Sequence, residues 1–109
     1  MNYELCKKLK DAKFPVPKSI YSKERYDKWM DEDGNLFMCQ NNVSDCYNPT
    51  LAELIESCGD KFYSLVRMVS EDKIWWNAHG VESSFGKTSC SGSTPVEAVA
   101  RLWLALNSK

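Results

Sequence analysis

The segment Thr94-Pro95-Val96-Glu97-Ala98-Val99-Ala100-Arg101-Leu102-Trp103-Leu104-Ala105-Leu106-Asn107 restricts the fold of this chain more than any other. Thr94 and Glu97 stand at capping-box spacing, and Pro95 falls at the first helical position, where its missing amide costs no intrahelical bond. The spacing predicts a helix over 95–107. Val96, Val99, Leu102, Trp103 and Leu106 form a wide apolar stripe, and the remaining alanines and Leu104 leave only Glu97, Arg101 and Ser108 as a thin polar seam. A helix of that kind has to be covered on most of its circumference. The cover is either a sheet and a second helix of the same chain, or a second copy in a homo-oligomer.

The second helix is written just as locally. Thr50-Leu51-Ala52-Glu53 is another capping box, Leu51, Leu54, Ile55 and Cys58 follow the i, i+3, i+4, i+7 rule, and Gly59 supplies the backbone freedom that commonly closes a helix. A third helix is expected over Asn2 to Ala12, with Leu5, Cys6, Leu9 and Ala12 on one side and Lys7, Lys8, Lys10 and Asp11 on the other. It must stop before Phe14-Pro15-Val16-Pro17.

Strand signals fill the rest. Lys61 to Val69 and Lys73 to Ala78 are rich in β-branched and aromatic residues and are separated by Ser70-Glu71-Asp72, which predicts a hairpin, with a third strand over Val81 to Thr88. Ser19 to Gln40 predicts an N-terminal hairpin that turns at Asp31-Glu32-Asp33-Gly34-Asn35, and Asn41 to Asn48 is expected to be a loop. The expected fold class is α+β: an antiparallel sheet with helices packed largely on one face, and an N-terminal β-hairpin extending or covering it. Residues 1–109 are expected to make a single domain.

Charge excludes more than it suggests. Fourteen Lys and Arg against 15 Asp and Glu give a net charge of −1, so no global field draws the chain to phosphate backbones or acidic membranes. No window approaches the length of a membrane span, and the early charges of Met1 to Lys10 do not resemble a signal peptide. Together with an odd number of cysteines, 5 at irregular spacing, this predicts reduced thiols in a cytoplasm.

Catalytic and metal-binding patterns are weak. His79 is the only histidine and stands among Trp75, Trp76, Asn77 and Gly80, with no acid or thiol to activate it. No cysteine pair has C-x-x-C spacing, the Asp31 to Asn35 segment lacks the ligand alternation of a calcium loop, and Gly80, Gly86 and Gly92 match turn residues better than a phosphate cradle. The sequence therefore predicts no metal, no cofactor and no enzyme; a cysteine nucleophile is the third-ranked function.

Aromatic residues are the remaining signal. Alternation sends Trp75 and Trp76 to opposite sheet faces, so the face away from the helices needs a cover, either the N-terminal hairpin or a partner protein. Tyr21, Tyr26, Trp29 and Phe37 in that hairpin are the candidate partner-binding anchors, since interface energy concentrates in such side chains. Lys18, Lys23, Arg25 and Lys28 interleave with them, which makes a single-stranded nucleic acid the second-ranked partner.

The stretches Glu4 to Pro15, Asn48 to Gly59 and Ser93 to Asn107 resemble small uncharacterised proteins encoded in bacteriophages and prophages, except that Lys13 stands where that resemblance would put glycine. Lys61 to Leu106 is similar, at the level of fold, to HicB-type antitoxins. The phage resemblance carries no catalytic residue. It implies stoichiometric binding to a host protein, one belonging to a defence system among them, in the cytoplasm of a bacterial host, with a nucleic-acid-binding regulator as the alternative.

Overall fold

The computed structural model of the chain describes residues 1–16, 26–82 and 86–107. Tyr21, together with Lys18, Lys23 and Arg25, lies outside the described residues. The fold is α+β, with three helices and two antiparallel three-stranded sheets. Contacts divide the chain into two compact units, Met1–Pro49 and Thr50–Lys109.

In the N-terminal unit, α1 spans Tyr3–Asp11 and is capped by Asn2, whose side chain accepts a hydrogen bond from the Leu5 amide at 2.9 Å. β1 (Trp29–Met30) and β2 (Leu36–Phe37) form the expected hairpin, paired Trp29 to Phe37 and Met30 to Leu36. Its turn is held by Asp31, whose Oδ1 accepts from the amides of Asp33 (3.0 Å) and Asn35 (2.8 Å). The expected loop over 41–48 is instead partly a strand. β3 (Cys46–Tyr47) pairs antiparallel with β1 and completes a separate sheet of order β2-β1-β3.

In the C-terminal unit, α2 spans Leu51–Cys58 with both capping-box bonds present: the Glu53 amide donates to Thr50 Oγ1 (3.1 Å), and the Thr50 amide donates to Glu53 Oε1 (2.8 Å). Gly59 closes the helix at φ +60°. A short 3-10 turn leads into β4 (Phe62–Val69), β5 (Ile74–Glu82) and β6 (Gly86–Gly92), an antiparallel meander. The third strand is therefore displaced from its expected 81–88: Val81 belongs to β5, and β6 runs on to Gly92.

The closing helix α3 spans Pro95–Asn107, as its pattern predicts. It packs on β5, β6 and α2, which bury Ala98, Val99, Ala100, Leu102, Trp103 and Leu106. Sheet and helix of the same chain thus provide the cover it requires. Two of the glycines expected in turns lie in strands beneath it. A Cβ on Gly80 would stand 3.0 Å from Leu102 Cδ1 and press on that side chain, and one on Gly92 would stand 2.5 Å from the Ala98 nitrogen, so at Gly92 only glycine lets α3 approach this closely.

Candidate functional site

Tyr3, Cys6 and Lys10 recur at i, i+3 and i+7 and project from one side of α1. Each meets a backbone carbonyl of the segment around β3. Tyr3 Oη donates to Ser44 O at 2.8 Å, Cys6 Sγ to Tyr47 O at 3.0 Å, and Lys10 Nζ to the carbonyls of Val43 and Asp45. From the other side Asp45, fully buried, accepts the amides of Asn41 and Asn42 on Oδ2 at 2.8 Å each, while its Oδ1 has no partner among the described residues. Side-chain bonds, in place of local propensity, hold this polar stretch.

The end of α1 supplies a second wall. The Lys13 amide donates to Lys10 O (3.0 Å) and the Phe14 amide to Leu9 O (2.9 Å), with Lys13 at φ +64°. This is a Schellman closure, which turns Phe14 back against the helix and buries it near Leu9. Across the sheet, Trp29 meets Tyr47 edge to face with centroids 5.6 Å apart. Leu9, Phe14, Val16, Trp29 and Tyr47, with Lys10 and Gln40 as polar members, line a cleft of about 210 Å³. That volume lies below the usual range for a small-molecule pocket, ~300–1,000 Å³. It is the size of one large side chain.

The expected anchors take different positions around it. Trp29 lines the cleft, half-buried, and the register puts Phe37, also half-buried, beside Trp29 in the row Phe37-Trp29-Tyr47. Tyr26 is 71% exposed in the turn ahead of β1. Leu36, Met38 and Val43 add exposed apolar surface in the same unit. Tyr47, Leu9 and Phe14 were missed as site residues. The adjacent apolar pair Cys46-Tyr47 within a polar stretch was the available signal for Tyr47.

The C-terminal unit offers two further surfaces. On the sheet face away from α3, Val66 and Val81 are exposed, and a bulge between Phe62 and Ser64 turns Tyr63 out to 62% exposure. Lys87 Nζ lies 5.6 Å from the centroid of that ring. His79 stands on the same face between Ser64 and Ser89 in the register, half-buried. In a wide groove bordered by Lys73, Trp75, Ser93 and Arg101, Arg101 Nη1 donates to Ser91 O (2.8 Å) and Ser93 Oγ to Glu97 Oε1 (2.9 Å).

Three of the thiols are held toward the protonated form. Burial, reinforced by the neighbouring Cys46, pushes the Cys6 thiol up to about 12, and burial alone pushes Cys58 up to about 11. Cys90 is raised by the same cause. Thiolates are what attack and ligate, so these environments disfavour the reactive form. All five cysteines are free, and among the described residues no three His, Cys, Asp or Glu side chains converge as metal ligands. No described helix is long and apolar enough to cross a membrane. A scan against protein-family models and searches of curated proteins and of solved structures match nothing to this chain.

Proposed function

We propose that this protein acts by stoichiometric binding to another protein, using the aromatic surface of the N-terminal unit, with the Trp29 and Tyr47 cleft receiving an apolar side chain of the partner. The cleft carries this reading: it is walled by aromatic and aliphatic groups, and its volume suits one side chain. The likeness of the three helical stretches to small phage proteins makes a bacterial host protein, such as a defence component, the partner, and the bacterial cytoplasm the setting. On this reading the chain is a binder with no catalytic turnover of its own.

The test begins with affinity capture from a host lysate, followed by reconstitution with the purified partner and titration of variants. Tyr26→Ala removes a ring that is 71% exposed and should weaken affinity at least about tenfold while leaving the unfolding midpoint unchanged. Trp29→Ala removes a ring packed edge to face on Tyr47 and should lower both affinity and stability. No stoichiometric partner, or a partner indifferent to both variants, refutes the proposal.

A nucleic-acid-binding role is the second reading, favoured by the exposed Tyr63 ring beneath the Lys87 ammonium. It predicts binding to single-stranded DNA or RNA oligonucleotides that falls steeply with salt and is lost in Tyr63→Ala.

A further inference from the structure

Cys6 on α1 and Cys46 on β3 are both fully buried and share one core cluster with Met30, against which Tyr3 packs. Their thiols turn to carbonyls of the same short segment, Cys6 Sγ to Tyr47 O at 3.0 Å and Cys46 Sγ to Ser44 O at 3.5 Å. The two thiols thus share one buried cluster and meet the same 44–47 backbone, although their elements lie far apart in sequence. The neighbouring Cys46 adds to burial in raising the pKa of Cys6. The other thiol of this unit, Cys39, is exposed and directed to Asn41 Oδ1.

We propose that Cys6 and Cys46 form a redox couple, closing into an intramolecular disulfide between α1 and β3 when the protein meets a peroxide. The step balances. One sulfur attacks the peroxide, the O–O bond breaks, and a sulfenic acid and water result. The second thiol displaces a second water from that sulfur, so two thiols give up two electrons and two protons. Burial and the raised pKa of Cys6 keep the thiolate scarce, so the reaction waits on local opening and answers sustained, rather than brief, oxidation. Cys46 precedes Tyr47, and Cys6 lies one turn before Leu9 and Lys10, so the bond fixes two walls of the cleft against each other. Only that last consequence rests on the cleft being the docking site.

The experiment exposes the purified full chain to hydrogen peroxide for hours, quenches with an alkylating agent, and maps peptides without reduction. A Cys6–Cys46 linked peptide is expected, reversible by dithiothreitol, with a melting temperature raised by at least about 5 °C. Cys39→Ser should retain the link. Cys6→Ser and Cys46→Ser should each lose it, and should they fold poorly, a Cys39→Ser, Cys58→Ala, Cys90→Ala variant that keeps only this pair provides the same readout. Absence of the link in the folded protein, or a link through Cys39 instead, overturns the proposal. An unchanged partner affinity on oxidation refutes the effect on the cleft and leaves the couple standing.

Discussion

Replacing Lys13 with glycine should make the protein more stable. Lys13 sits at φ +64°, where the Cβ of an L-residue crowds the following carbonyl at a cost of roughly 1–2 kcal/mol. Glycine removes that crowding but loses about 0.5–1 kcal/mol through the greater freedom of the unfolded chain. The net gain expected for Lys13→Gly is therefore ~0.5–1 kcal/mol. Lys13→Ala is the control, because it removes the same charge and side chain and keeps the strained backbone. The two variants should differ by about 1 kcal/mol in urea denaturation, with glycine the more stable. Hydrogen exchange of the Phe14 amide, which donates to Leu9 O at 2.9 Å, reads the same change locally. If glycine and alanine prove equal, or glycine is the weaker, the closure of α1 is not strained and the account of how Phe14 is positioned fails.

Gly92→Ala should cost at least ~2 kcal/mol, read as a lower urea midpoint, since its Cβ would meet the Ala98 nitrogen at 2.5 Å and backbone cannot swing away as a side chain can. Trp103→Ala should cost ~3–5 kcal/mol by removing a ring that is 4% exposed, and a measured loss below about 1 kcal/mol would place Trp103 outside the core. Stability should also fall at alkaline pH. Cys6 and Cys58 hold their protons up to about 12 and about 11 when folded, above the unfolded value of roughly 8.5, so their contribution is complete below that value and is lost as pH rises toward the folded ones. Denaturation midpoints at pH 7.5 and 10 check this: a decline shallower in Cys58→Ala is expected, and a flat profile contradicts it.

What could be read from the sequence was whatever is encoded locally. α2 and α3 start where Thr50, Glu53, Thr94 and Pro95 place them, because a cap and its helix lie within one turn of chain. β4 and β5 carry enough β-branched and aromatic residues to announce themselves. β6 does not. Its sequence, Gly-Lys-Thr-Ser-Cys-Ser-Gly, lacks the apolar alternation that marks a strand, and its last residue, Gly92, is held to glycine by the nearness of α3. β3 was invisible for a related reason: Tyr3, Cys6 and Lys10 hold that segment from far upstream, and no window of sequence contains both sides of those bonds. The cleft was half legible. Trp29 and Phe37 stand out as aromatics in a predicted hairpin, whereas Leu9 and Phe14 join them only through the helix closure at Lys13.

The grip of α1 on the segment around β3 bears on the order in which the N-terminal unit forms. The bonds from Tyr3 and Cys6 each span 41 residues, and that from Lys10 to Asp45 spans 35. Closing a loop of that length has to precede any return from the contacts within it, so this sheet is slow to nucleate, while the β4-β5-β6 meander joins neighbours through short turns. With strands of only two residues each, β1, β2 and β3 have little cooperativity of their own to lend. The moment at which α1 docks is thus the moment at which Trp29, Tyr47 and Phe14 come together, and the cleft exists only for as long as Tyr3, Cys6 and Lys10 keep their carbonyl contacts.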